Sequence, residues 1–384
     1  MPYYYDTLYA DEMAETVVEL WGEIEEDLIQ QIAKHVKRAL DYGESLHYTG
    51  EFRAWQLKEA NLLNDHAVAL ISKATGKSEK AVRQCIEASG MQVVKGDEKI
   101  YRQALDSGQL TMEPLPLDQS PRLQTAINAC VANAEFGLSN LTNTRMDYAG
   151  NGWETLTHAS NRAYYDATNA GFLAMRTGTK SLDQAVYSSC RSLINNGIQT
   201  VHWESGHQDS IDVAVRRNIR TAIAQTSGKM TLARMEDYQS DLVETSSHFG
   251  ARPEHAEWQG KIFSLSGSNG YENFYEATGY GDMLGLCGIN CRHRFFPYFP
   301  GTTPSFEPYD EDKNREQYEK TQQQRAYERN IRKAKRELAV AEGAGLDTTE
   351  AKANVRERQK EIREWLSRPE NSDLRRRYEN ERIY

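Results

Sequence analysis

The chain has 384 residues, 39% of them hydrophobic, and a formal net charge of −10. That length allows more than one packed core, and that composition excludes a disordered or low-complexity polymer. The negative balance excludes a protein coated in a nucleic-acid-binding surface, and no apolar run approaches the roughly 20 residues that span a bilayer.

The charge is uneven. Residues 1–50 carry eleven acids against three bases, whereas residues 311–384 carry nineteen bases against sixteen acids, so any nucleic-acid contact is expected to be local and salt-sensitive. The opening "MPYYYDTLYADEMAETV" lacks the basic and apolar regions of a secretory signal, which predicts a cytosol-like compartment. Cys85, Cys130 and Cys190 are scattered through helix-like stretches and read as small buried hydrophobes. Only Cys287 and Cys291 are close together, so no disulfide framework is expected.

In chain order, Met13, Val17, Leu20, Trp21, Ile24, Leu28, Ile32, Val36 and Leu40 recur every three or four residues and predict one long helix over about 12–40. Shorter helices are predicted over 52–74, 78–89 and 99–106. "MEPLPLDQSP" (112–121) breaks the pattern. Ser120 as N-cap and Pro121 at the first helical position then open another helix through Leu141. Helices follow over 153–175 and 182–195, the second opened by a Ser181/Gln184 capping box.

The pattern changes after Gly197. "IQTVHW" (198–203) reads as a strand, "SGHQDS" as a turn, 210–224 as a helix and 241–247 as a second strand. Residues 248–309 hold many Gly, Pro and aromatic residues with no sustained period, a stretch that calls for a functional or partner-based reason. Helices over 312–342 and 348–365 form an antiparallel hairpin with a thin seam of Ile331, Leu338, Ala341, Ala351, Val355, Ile362 and Leu366. The second is expected to start at an Asp347/Glu350 capping box, and "RRRYENERIY" to be a solvated tail. The expected fold class is therefore mainly α with a central to C-terminal α+β module. Four regions are expected: 1–112, a helical docking arm; 113–197, a helical module; 198–309, the α+β module; 310–384, the charged hairpin and tail.

Chemistry concentrates in the third region. Cys287, Cys291 and His293 form a C-x3-C-x-H cluster, with His248 and His255 upstream, a sensible ligand set for structural zinc. The spacing matches no common zinc finger, and the alternative is that both cysteines pack as core residues beside Trp258. A catalytic thiol would need one of these histidines in reach as a base. His202, Glu204, His207 and Asp209 supply an acid–base inventory, equally what a hairpin turn contains. Arg216, Arg217, Arg220, Arg252, Arg292 and Arg294 fall in the same module. They suit phosphate recognition, with Phe295, Phe296, Tyr298 and Phe299 as stacking groups, or else internal ion pairs.

The stretches "DVAVRRNIRTAIAQTSGKMT", "LVETSSHFGARPEHAEWQGKIFS" and "YGDMLGLCGINCRHRFFPYFPG" resemble the phage minor capsid protein 2 family, tailed-phage head proteins related in role to Mu F-like head morphogenesis proteins. The resemblance is densest over 198–301. Its pattern falls on Arg216, Arg217, His248, Arg252, His255, Trp258, Cys287, Cys291 and Arg292, among others. It implies a low-copy virion structural protein near the portal, acting in head assembly and DNA packaging, with portal or major capsid protein as partner and no membrane. It assigns no catalytic residue. Two other readings remain: a virion-carried metal- or histidine-dependent hydrolase or nuclease, and a head protein that organises the genome end through Arg220, Arg294, Arg375, Arg376 and Arg377.

Overall fold

The computed structural model describes residues 7–44, 49–113, 115–143, 147–148, 151–152, 156–202, 208–268 and 270–383. The fold is mainly helical with a small antiparallel sheet. Two compact units are each gathered from three separated segments. One comprises Met1–Thr16, Glu79–Gly137 and Arg216–Gln322; the other comprises Val17–Ser78, Leu138–Val215 and Gln323–Tyr384.

Helix α1 spans Thr7–Glu44 and helix α2 spans Thr49–Asp106. The predicted face of α1 is real: Val17, Trp21, Leu28, Ile32, Val36 and Leu40 are all fully buried. The three helices expected between 52 and 106 are instead the single 58-residue α2. Gly90, just past the expected end at 89, is a packing residue: a Cβ there would lie 3.2 Å from Thr226 Cγ2 and 3.4 Å from Met230 Cγ. Close approach of a neighbouring helix outweighs the roughly 1 kcal/mol that glycine costs in a helix interior.

Helix α3 (Pro121–Asn143) starts as expected, with Ser120 Oγ accepting the Leu123 amide at 3.3 Å. The two-residue strands β1 (Asp147–Tyr148) and β2 (Asn151–Gly152) pair antiparallel. Then come α4 (Leu156–Arg176), α5 (Leu182–Ser189) and α6 (Arg191–Asn196). The Ser181/Gln184 capping box is present, but the helix expected over 182–195 is interrupted at Cys190. Strands β3 (Gln199–His202) and β4 (Gln208–Ser210) form a hairpin; Glu204 and His207 lie outside the described residues.

Helix α7 (Ile211–Asp237) runs thirteen residues past the expected end at 224. The "QTSGKMT" segment beyond that end is polar, yet Thr226, Ser227 and Thr231 are fully buried. Thr226 Oγ1 donates back to the Ala222 carbonyl, and Thr231 Oγ1 donates to Asp97 at 2.7 Å. Beyond its end at Asp237, Gln239 with φ of 53° turns the chain out.

Strand β5 (Leu242–Thr245) is the middle of a three-stranded antiparallel sheet, with β6 (Ile262–Ser264) on one side and β7 (Phe295–Pro297) on the other. All four β5 residues are buried, so it lacks the alternation of a half-exposed strand. Short helices α8 (Pro253–Ala256) and α9 (Phe274–Thr278) lie between the strands in sequence. The core of this unit gathers Tyr101 from α2, Tyr238, Val243, Phe263, Phe274 and Phe295, with Tyr101 and Tyr238 stacked at 3.8 Å.

Helix α10 (Glu311–Ala344), from Gln323 onward part of the other unit, and α11 (Thr349–Leu366) form the expected hairpin. Tyr327 lies against Trp365, Glu337 accepts from Asn354, and Glu342 faces Lys352. Trp365, more than Leu366, fills the seam. The start of α11 differs from expectation: Asp347 Oδ1 accepts from the backbone and hydroxyl of Thr349, and Glu350 plays no capping part. The tail is also docked rather than solvated. Glu381 and Ile383 are buried, Arg376 makes a bidentate pair with Glu381, Arg377 pairs with Glu328 at 2.8 Å, and Arg382 pairs with Glu19. No described helix is long and apolar enough to cross a membrane.

One buried acid makes this packing pH-dependent. Burial pushes the Asp97 carboxyl up from 3.8 to about 6, against the opposing pull of Arg294. The folded state therefore holds this proton more tightly than the unfolded chain, and its contribution is full below pH 4 and lost as pH rises through 6. Asp97→Asn keeps an acceptor for Thr231 without the charge. It is expected to stabilise the protein at pH 7 by roughly 2–3 kcal/mol, with the gain fading toward pH 4; urea midpoints at the two pH values measure it.

Candidate metal centre

The loop-rich stretch is held by a few buried polar anchors. Asn314 Oδ1 accepts the amides of Gly250 and Ala251, and its Nδ2 donates to the Ala251 carbonyl at 3.0 Å. Pro253 occupies the first turn of α8, which presents His255 inward. Thr245 Oγ1 donates to the Trp258 carbonyl at 2.7 Å and fixes the following turn. These contacts tie "HFGARPEHAEWQG" to the start of α10 through Asn314 and to the central strand through Thr245.

The second wall is the segment from Gly279 to Cys291, a chain of tight turns. The amides of Asp282, Gly285, Gly288 and Cys291 each bond to the carbonyl three residues back. Two glycines are required by close approach: a Cβ on Gly285 would fall 1.9 Å from the Gly279 carbonyl oxygen, and one on Gly288 would fall 2.4 Å from that of Met283. Cys287 and Asn290 adopt φ of 60° and 54°, unusual for side chains with a Cβ. This winding delivers Cys291 and His293 to the same place as His255.

There, three ligand atoms form a triangle. His255 Nδ1 lies 3.4 Å from His293 Nδ1, and Cys291 Sγ lies 3.7 and 3.8 Å from those two nitrogens. Both histidines are almost fully buried and Cys291 is 9% exposed. Trp258 closes the site, tilted against His255 at 4.8 Å and edge-on to His293 at 4.6 Å. Burial lowers the pKa of both imidazoles, most strongly for His293, and raises that of the Cys291 thiol.

Hydrogen bonds set which ring nitrogen carries the proton. His255 Nε2 lies 2.8 Å from the Leu284 carbonyl, which only accepts, and 3.2 Å from Arg252 Nη2, which only donates. The shorter contact, to Leu284, is met with the hydrogen on Nε2, and Arg252 Nη2 has the Ile289 carbonyl at 3.0 Å to donate to instead. His293 Nε2 lies 3.2 Å from Gln259 Oε1. That amide cannot be turned around, because the same Oε1 accepts the His248 backbone N–H at 3.1 Å. Both Nδ1 atoms therefore present bare lone pairs to each other. The Cys291 thiol has one hydrogen and satisfies one of them, and leaving the other buried without a donor costs about 1–3 kcal/mol.

The remaining expected residues border this cluster or lie apart from it. His248 stacks its ring on His293 at 4.2 Å, and burial and Arg292 lower its pKa to about 4. Cys287 packs into the hydrophobic core, its Sγ 3.9 Å from the His293 carbonyl. Arg252 Nη2 donates to the Ile289 carbonyl and braces the turn chain from outside. Arg292 is exposed, whereas Arg294 is buried with its guanidinium over Phe296. Arg216 faces Glu15 at 3.5 Å, and Arg217 and Arg220 are half-buried on α7. Arg375 is exposed, and its neighbours Arg376 and Arg377 are ion-paired. Two partners escaped the sequence reading: the Leu284 carbonyl, which no side-chain pattern can reveal, and Gln259, which follows Trp258 with nothing to mark it.

Fold and site define a mainly helical protein carrying a small sheet module closed around a buried imidazole–thiol cluster. The chain belongs to the phage minor capsid protein 2 family, whose profile matches residues 6–367. It is 28% identical over 344 residues to a structural protein of Lactococcus phage LL-H, covering 86% of this chain and 89% of that protein. It is 40% identical over 116 residues to a structural protein of Lactococcus phage mv4, covering 29% of this chain and 92% of that protein. No solved structure matches it.

The turn chain yields a stability prediction. Gly285→Ala drives a methyl group into a backbone carbonyl and is expected to lower stability by about 3 kcal/mol or more. A comparable substitution at Gly108, with open space around it but φ of 74°, is expected to cost about 1 kcal/mol. Urea unfolding of the two variants compares the effects.

Proposed function

We propose that this minor capsid protein is a low-copy component of a tailed-phage head. In this reading it docks on the portal or the adjoining major capsid protein and acts during head assembly and DNA packaging in the host cytoplasm. The family match over nearly the whole chain carries the reading. The surface of α2 supports docking: Leu57 and Val68 are 54% and 48% exposed, and their eleven-residue spacing places them on one side of the helix. In this reading Leu57 and Val68 are the side chains that the partner covers.

The site favours a structural over a hydrolytic role, because His255 and His293 are closed off from a substrate-sized ligand. The tail likewise offers little to DNA, since Arg376 and Arg377 are already committed to carboxylates.

Purified particles are expected to contain the protein at a small fraction of the major capsid copy number, and portal protein is expected to co-purify with it from assembling heads. Mass spectrometry of both preparations measures this, and absence from particles would overturn the proposal. Leu57→Asp with Val68→Asp is expected to weaken portal co-purification at least tenfold while leaving the circular dichroism unchanged.

A further inference from the structure

We infer that His255 Nδ1, Cys291 Sγ and His293 Nδ1 bind one zinc-class divalent ion, which staples α8 to the segment entering β7. Tetrahedral zinc with Zn–N near 2.0–2.1 Å and Zn–S near 2.3 Å sets ligand separations of about 3.3–3.4 Å between nitrogens and about 3.6 Å between nitrogen and sulfur. The observed separations are 3.4 Å, and 3.7 and 3.8 Å. The three atoms already stand at the corners of such a site.

The surrounding contacts point the same way. Leu284 O and Gln259 Oε1 each take the Nε2 hydrogen of one imidazole, so both rings turn an unprotonated nitrogen inward. Outer-shell acceptors of this kind orient and strengthen histidine ligands. Gln259 holds its orientation at a cost, because its amide nitrogen is buried without a hydrogen-bond partner among the described residues. An amide serving only to fill the core would not need to keep its oxygen on these two donors. Two neutral imidazoles and a thiolate are a ligand set suited to zinc, and poor for magnesium or calcium, which prefer oxygen. On binding, the Cys291 S–H bond is replaced by a sulfur–metal bond and the proton leaves to solvent.

The geometry also separates ligands from neighbours. Cys287 and His248 fall outside the triangle, although they share the motif. The cysteine pair is thus divided into one ligand, Cys291, and one core residue, Cys287.

The test is metal analysis of the full-length chain, produced in zinc-supplemented medium and purified without an affinity tag or chelator. One equivalent of zinc is expected in the wild type and in Cys287→Ser, with a more than tenfold loss in Cys291→Ser and His293→Gln. Gln259→Leu is expected to weaken zinc affinity about 10- to 100-fold, measured by competition with a chromophoric chelator. Background zinc in the wild type, full zinc in Cys291→Ser, or loss of zinc from a folded Cys287→Ser would each overturn the assignment. Cobalt substitution of the wild type needs no variant to fold: a thiolate-to-cobalt charge-transfer band with tetrahedral visible bands is expected, and absence of the charge-transfer band would overturn the site. These outcomes do not depend on where the protein sits in the particle.

Discussion

The arrangement of the loop-rich module turns on one amide. Gln259 Oε1 accepts from the His248 backbone and from His293 Nε2, and this double role fixes the side chain in one orientation. With that orientation fixed, His293 presents a lone pair inward, as His255 does through its bond to the Leu284 carbonyl. Two buried acceptors pointing at each other repel unless a donor or a cation lies between them. The chain positions around them are set to hold this arrangement, from the Thr245 anchor to the succession of turns ending at Cys291.

Those turns show how backbone and site chemistry are linked. Gly285 and Gly288 have no room for a Cβ, and Cys287 and Asn290 sit at positive φ. Such conformations persist only where surrounding contacts over-determine them. Here the sheet, the aromatic core and the Arg252 brace supply those contacts. The same winding carries Cys287 into the hydrophobic core and brings Cys291, four residues later, to the two histidines.

Helix assignment from sequence succeeded where burial is one-sided and failed where polar residues are buried. The face of α1 was legible because its apolar residues fall on one stripe. The lengths of α2 and α7 were not, because a glycine and small polar residues lie just past the expected ends at 89 and 224 and are used there as buried contact surfaces. The tail was misread for a related reason. Its arginines look solvated in sequence, but Glu328 and Glu381 neutralise them and let Ile383 be buried.

By itself the sequence determined the mainly helical class, the caps at Ser120 and Ser181, the α10–α11 hairpin and the family, because these rest on local periodicity and motifs within a few residues. It also singled out the histidines and cysteines of the loop-rich stretch, His248, His255, Cys287, Cys291 and His293, as candidates. Only the tertiary structure decided which three converge, because that depends on a wound segment whose course follows backbone hydrogen bonds and not side-chain identity. It alone also decided the tautomers, since a carbonyl and an amide oxygen from elsewhere in the chain determine where each proton sits.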